Sequence, residues 1–364
     1  MIIDRIEPIA LRVPAPKRPS GVPAPLVSAD MCLTLCRVTT RDGLVGYGEC
    51  LSLRPPMQAA LFATIRDAIV PHYLGKPVDQ KEALNLSARK RFASFGRAGT
   101  VMNALAAVDI ALWDIAGKAS GKSVSAMLGG ARRSRVPVMA SLDKYDHAAR
   151  ARQRVEQALA SGVASVKVHE ASLDVIEEVR RAIPPATPYV ADSNNAHTLA
   201  DIRRDAKRWA ALGLLFFEDP FWPPEDLLDC PALPGIVIGM GADFGSAEQM
   251  AVFSKTPAIG VLQPDVCMLG GLSEAKRALA MIEAAKKTAA PHTPFVGPAA
   301  LASLHMLAVT AEEGYFATVE ADDSMDPYGI GLTRWQKALD VPTGSGLGFD
   351  PDPAFLRRHL YAAG

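Results

Sequence analysis

The sequence predicts an α/β protein in which a barrel of alternating strands and helices follows a smaller α+β unit. Three observations carry this expectation. The chain has 364 residues, which suits one large domain plus a smaller one. After about Val136, eight short apolar runs alternate with Ala-rich helical stretches. An ionisable residue stands at the end of nearly every run.

In the first part, residues 31–39 (MCLTLCRVT) and 44–48 (LVGYG) read as strands joined by the turn Arg41-Asp42-Gly43. Helices are expected from about Pro56 to Val70 and from Val101 to Lys118, where apolar residues recur at helical spacing. The segment Pro14 to Pro25, rich in Pro, Lys, Arg and Ser, has no periodicity and reads as a loop long enough to act as a lid.

The eight runs are 136–142, 164–168, 188–192, 214–219, 236–243, 260–265, 289–293 and 316–321. Helical segments such as Asp143 to Ala160, Asp174 to Ala182 and Ala200 to Leu212 separate them. Strands that alternate with helices pair in parallel, and eight such units fit a TIM-like barrel. A doubly wound open sheet is the rival, but it leaves the pattern of strand-end residues unexplained.

Composition narrows the function classes. Lys plus Arg and Asp plus Glu number 39 each, so nothing electrostatic points to nucleic acid or a membrane surface. The opening MIIDRIEPIALRV carries acids and lacks the apolar core of a signal peptide, and no stretch approaches transmembrane length. The cysteines Cys32, Cys36, Cys50, Cys230 and Cys267 are an odd, scattered set that suits a reducing cytoplasm. Cys32 and Cys36 complete no CxxC or Cys/His cluster, so they read as buried thiols.

The strand-end residues form a series. Lys167 ends the second run with His169 just beyond it, and Asp192, Glu218, Asp243, Asp265, His292 and Glu320 follow on the next six. The steps from Lys167 onward are 22 to 28 residues, one group per strand–helix unit. All would ring the C-terminal mouth, where barrel active sites are built. Singly, each has a bland explanation: an Asp after an apolar run often caps the next helix. Several charges around one mouth, however, are costly to bury unless paired or bound to a metal.

Asp192, Glu218 and Asp243 offer hard oxygen ligands on neighbouring strands, which suits Mg²⁺. Asp265 beside His292 would fix the imidazole tautomer and raise its basicity, as a general base requires. Lys167 and His169, two apart on a strand, face the same side, across the mouth from His292. Such a layout suits removal of a proton alpha to a carboxylate, with the metal and Lys167 stabilising the enediolate. A protonated Glu320 could donate a hydrogen bond to the same charge.

RDGLVGYGEC (41–50), AAVDIALWDIAGKASGKSVSAMLGG (106–130), LQPDVCMLGGLSEA (262–275), PHTPFVGPAALASLHMLA (291–308) and PTGSGLGFD (342–350) resemble the mandelate racemase and muconate-lactonising family of the enolase superfamily. The resemblance spans nearly the whole chain. It implies a (β/α)₇β barrel at 126–325, capped by an α+β unit at 1–125 that the segment 326–364 completes. It also implies loops near Pro14–Pro25 and Cys50–Met57 that close over a small carboxylate substrate. A homo-oligomer in the cytoplasm, binding no nucleic acid or membrane, is expected. The Asp265–His292 pair places the chain nearer mandelate racemase than the muconate cycloisomerases, and PHTPFVGP is similar to acid-sugar dehydratases.

Two positions depart from the relatives' pattern. Lys167-Val168-His169 stands where many carry Lys-x-Lys. Asn194 stands where galactonate- and mannonate-type dehydratases carry an acid histidine, and the nearby His197 lies outside that motif. Asn194, and Arg18 and Arg54 (with Lys17) on the lid loops, are the substrate-binding candidates. Dehydration of an acid sugar to a 2-keto-3-deoxy acid is the first expectation, and racemisation or epimerisation using His169 and His292 is the second. A non-catalytic binding protein on an inherited barrel would show eroded ligands or base, and none is missing.

Overall fold

The computed structural model describes residues 1–14, 30–53, 55–311, 314–319 and 323–361. The amino-terminal unit is a three-stranded antiparallel sheet, β1 (Ile3–Val13), β2 (Met31–Thr40) and β3 (Val45–Leu53), in that order. β1 is absent from the sequence expectations because Asp4, Glu7 and Pro8 interrupt its alternation. It is an edge strand, where a proline is tolerated. Part of the expected Cys50–Met57 loop is regular instead: β3 runs through Leu53, and the helix Pro55–Thr64 starts two residues later.

The sheet packs on the helix Thr100–Ser120, most of whose side chains are buried. Gly46 and Gly48 permit this: a Cβ at Gly48 would sit 1.9 Å from the Ala107 carbonyl, so only glycine lets strand and helix approach this closely. That helix is long and apolar enough to cross a membrane by length and composition, contrary to the sequence reading. Mostly buried inside the protein, it serves as the core helix of this unit.

The second sheet contains the parallel strands β4 (Arg135–Leu142), β5 (Ser165–His169), β6 (Tyr189–Asp192), β7 (Phe216–Glu218), β8 (Ile238–Met240), β9 (Ile259–Leu262), β10 (Thr288–Ala289) and β11 (Phe316–Thr318). Each of the eight predicted runs overlaps one of these strands. β11 returns to pair with β4, and the short β12 (Ala338–Asp340) adds antiparallel to β4. Between β10 and β11 a side chain replaces the ladder. The Thr293 hydroxyl donates to the Ala317 carbonyl at 3.0 Å and accepts from the Ala317 amide at 2.8 Å. Met139, Val190, Phe216 and Val261 fill the barrel interior. The expected helix 200–212 is two helices, Leu199–Arg204 and Ala206–Ala211, broken at Asp205.

Two helices of the cap grip the barrel's loops. From the helix Lys81–Arg91, Asn85 Nδ2 donates to the Gly270 carbonyl, and Arg89 donates to the carbonyls of Leu269 and Gly245, all at 2.7 Å. From the helix Thr100–Ser120, Asp109 accepts from the Ser273 hydroxyl (2.6 Å) and amide (2.9 Å). The carboxy-terminal helix Pro353–His359 packs Phe355 against β1 and β2, and the Tyr361 amide donates to Ala10.

Candidate active site

Strand alternation aims the charged residues at the mouth. Val190 and Phe216 point into the barrel, so Asp192 and Glu218, two residues further along their strands, turn to the same side. The parallel register sets His169 beside Asp192 and Asp192 beside Glu218. All three of Lys167, Asp192 and Glu218 are buried.

Lys167 Nζ lies 2.7 Å from Glu218 Oε1 and 3.5 Å from Asp192 Oδ2. Burial alone would depress its pKa, but the two carboxylates outweigh that and push it well above the ordinary lysine value. Lys167 is therefore a fixed positive charge. His169 is held on both sides: Nδ1 by the Leu142 carbonyl and Nε2 by Asp192 Oδ2 at 3.1 Å. Burial opposes its protonation, yet the Asp192 charge and hydrogen bond raise its pKa above the usual histidine value. Against its own burial, Asp192 is in turn held far below the ordinary carboxyl range by His169 and Lys167.

Across the mouth, His292 Nδ1 lies 2.8 Å from Asp265 Oδ2, and the two residues form a parallel bridge. Asp265 is fully buried, and its other oxygen accepts the amides of Cys267 (2.7 Å) and Met268 (2.9 Å). That leaves Nδ1 as the protonated nitrogen and Nε2 with its lone pair.

The predicted metal ligands are unevenly placed. Asp192 and Glu218 meet at Lys167, whereas Asp243 is exposed beyond the end of β8. No three His, Cys, Asp or Glu side chains among the described residues form a ready coordination shell. The donors nonetheless fit a hard divalent cation. They are carboxylate oxygens, and Glu218 Oε2 is buried with no hydrogen-bond partner among the described residues. Asp219 beside them is pushed well above the ordinary carboxyl value by burial and by the charges of Glu218, Asp192 and Asp243. Carboxylates are thus concentrated at this spot, with the Lys167 charge opposing them. Asn194 is exposed at the mouth with its backbone left-handed (φ 48°), and its backbone N–H donates to Asp192 Oδ1 at 2.9 Å. His197 is turned away, edge-on to Trp209 and Phe217. Arg18, Lys17, Arg54 and Glu320 lie outside the described residues.

Two acids that support the site escaped the sequence reading. Glu49, on β3 and 1% exposed, reaches from the cap under the loop that carries His292. Its Oε2 accepts the Ala299 amide at 2.9 Å at the start of the helix Pro298–Val309, with the Gly297 amide also bonded to the carboxylate. Its carbonyl accepts the Cys267 thiol at 3.4 Å, two residues from Asp265. Glu170, just after His169, accepts the amides of Tyr145 (3.0 Å) and Asp146 (3.2 Å) and so fixes the loop after β4. The signal was there: each is an isolated acid in or beside an apolar strand, a position that requires a partner.

Comparison with known proteins extends these observations. Residues 148–355 match the family model described as enolase C-terminal domain-like, and residues 6–129 match the mandelate racemase / muconate lactonizing enzyme N-terminal domain. The chain is similar to a D-galactarolactone cycloisomerase of Agrobacterium fabrum, 27% identical over 87% of this chain and 88% of that one. It is also similar to an arabinonate dehydratase of Saccharolobus solfataricus, 27% identical over 89% of each. In fold it is similar to a racemase from Streptomyces coelicolor A3(2) with bound magnesium, with a TM-score of 0.84 at 22% identity, covering 99% of this chain and 100% of that one.

Proposed function

Because the chain belongs to the mandelate racemase and muconate-lactonizing enzyme family, whose chemistry is proton abstraction alpha to a carboxylate, we propose that it is an acid-sugar dehydratase acting through a single base, His292. One observation carries the reading: among the described residues, His292 keeps a ring nitrogen without a hydrogen-bond acceptor, and His169 at the same mouth does not. Asp265 engages one nitrogen of His292, whereas Leu142 and Asp192 engage both nitrogens of His169. A base on each face, which epimerisation needs, is not what this arrangement offers.

In this mechanism His292 Nε2 takes the proton from the alpha carbon while Asp265 stabilises the imidazolium that forms. The ammonium of Lys167 faces the charge that develops on the substrate carboxylate. The bond from the beta carbon to its hydroxyl then breaks, and the imidazolium returns a proton to the departing oxygen, giving water and an enol that becomes the 2-keto acid. Asn194, lacking an acidic proton, positions the substrate, and Glu320, in its protonated form, would donate a hydrogen bond to the substrate carboxylate. Asp192, Glu218 and Asp243 would hold Mg²⁺, which supplies positive charge for the carboxylate when bound.

A second reading follows from the cycloisomerase relative. If the leaving oxygen is tethered to the substrate as a ring, the same proton abstraction and bond cleavage yield an isomer and no water. The division into 1–125, 126–325 and 326–364 suits either reading, supported by the contacts of Phe355 and Tyr361 with the cap sheet. The described cysteines are buried thiols, which supports a reducing compartment.

The test is a panel of acid sugars, their lactones and their anhydro derivatives, incubated with Mg²⁺ and assayed for 2-keto acid and by NMR. Keto acid from an open-chain hydroxy acid supports dehydration. Ring opening of a lactone or anhydro acid, with open-chain acids left unchanged, moves the assignment to the second reading. Interconversion of alpha epimers alone would overturn both.

A further inference from the structure

A second cavity is lined entirely by residues of the cap and by none of the strand-end residues of the barrel mouth. It is a cleft of about 920 Å³ on the outer face of the cap, between the helical run 55–73 and the helix Lys81–Arg91. Its volume lies within the usual range for small-molecule sites. The wall combines apolar and aromatic surface (Leu84, Phe92, Phe95) with three nitrogen bases, His72, Lys76 and Arg91. Asp67, the acid in the lining, is spent on Arg66 at 2.7 Å. Phe95 is 75% exposed and lines the rim. The half-buried His72 ring stands edge-on to Phe92 in this wall, with a backbone hydrogen bond to Leu84.

We propose that this cleft is a second binding site, for a small organic anion that carries a carboxylate on an apolar or aromatic body. The cationic groups supply the charge complement, and the phenyl rings and Leu84 receive the body. Burial and the charges of Arg91 and Lys76 hold the His72 pKa below its usual value, which shows the three groups lie within electrostatic reach of one another. One wall includes Asp67 and Ala68 from the π-helical turn Ile65–Ile69, a rare geometry that is frequent at functional sites.

The helix Lys81–Arg91 gives the site a route to the barrel. Leu84, Ser87 and Arg91, spaced three and four apart, present one face to the cleft. Asn85 and Arg89, four apart on another face, hold the carbonyls of Gly270, Leu269 and Gly245. Those loops follow Asp265 and Asp243. An occupant that orders this helix therefore steadies the backbone behind the proposed base pair and metal ligand.

The experiment needs no substrate. Benzoate, with inorganic phosphate as the control lacking an apolar body, is titrated into full-length protein carrying ¹⁵N-labelled histidine, with EDTA present so that the metal site does not compete. A saturable shift of the His72 resonance is expected with benzoate and a weaker one with phosphate. Arg91→Glu and, separately, Lys76→Glu should each weaken binding roughly tenfold or more. Amide exchange at Gly245 and Leu269–Gly270 should slow with benzoate in the wild type and not in Arg91→Glu. An unshifted His72, a shift that both charge reversals leave unchanged, or phosphate binding as well as benzoate would overturn the site. Saturable binding with unchanged exchange in those loops would overturn the coupling.

Discussion

The two sides of the barrel mouth each set a histidine against an aspartate, and they differ in what holds the other ring nitrogen. His292 has Asp265 on Nδ1, and the buried aspartate is fixed in turn by two backbone amides. His169 has a carbonyl on one nitrogen and Asp192 on the other, beside the Lys167 ammonium. The first arrangement keeps a lone pair for an incoming proton. The second favours a ring that donates from both nitrogens, which makes it part of a cationic cluster balancing Asp192 and Glu218. Residue type does not distinguish a base from a counter-charge; the number of acceptors around the ring does.

The largest effect expected lies on the crowded side. If Asp192, Glu218 and Asp243 hold Mg²⁺, chelation should abolish turnover and Mg²⁺ should restore it, measured as 2-keto acid formation. Asp243→Asn should lower metal affinity and leave the circular dichroism unchanged, because Asp243 is exposed and outside the core. Metal-stripped protein with full activity would remove these carboxylates from the mechanism and leave the cluster merely structural.

On the opposite side, His292→Asn should cut turnover by roughly two to four decades, the range for losing a general base. Asp265→Asn should lower the rate in the same direction, since it removes the group that fixes the tautomer. Rates like the wild type in both variants would end the distinction between the two histidines.

A smaller loss, roughly one to two decades, is expected for His169→Asn, because the residue positions Asp192 and does not take the proton. Exchange of the alpha proton with solvent deuterium, followed by NMR, provides the decisive comparison. The variant should still exchange a single substrate stereoisomer, as the wild type does. If the wild type exchanges both isomers and the variant loses one, His169 is a second base and the asymmetry drawn from its hydrogen bonds fails.

Much of this architecture was legible in the residues. The barrel strands declared themselves as apolar runs, and Asp265 with His292 could be paired because both end neighbouring strands. The role of His169 could not be read, since it depends on the Leu142 carbonyl, which strand β4 brings alongside. The same limit hid Glu49. Its partners at Gly297 and Ala299 lie about 250 residues away, and no local pattern encodes a contact that only domain docking creates. β1 was hidden for a different reason: as an edge strand it tolerates acids and a proline that break the alternation.

The smallest effect on activity, and a clear one on stability, is expected at Glu49, which joins the cap to the His292 side. Burial, aided by the Asp265 charge, raises its pKa from 4.5 to about 8 despite two backbone hydrogen bonds that favour ionisation. The folded protein therefore holds this proton more tightly than the unfolded chain does. Its stabilising contribution is complete below the unfolded value of 4.5 and is lost as the pH rises towards 8. The full span is on the order of a few kcal/mol. Gln in place of Glu49 keeps an oxygen for the Ala299 amide and cannot ionise. Thermal unfolding of wild type and Glu49→Gln across that window should show the wild type losing stability with rising pH more steeply than the variant. Other buried acids, Asp109 among them with a pKa raised to about 7, contribute the same slope to both proteins, so the difference between the two curves isolates Glu49. Parallel curves would mean that Glu49 stays ionised in the folded state. Its buried charge beside Asp265 would then be balanced by the backbone amides alone, and the His292 side would be as highly charged as the cluster opposite.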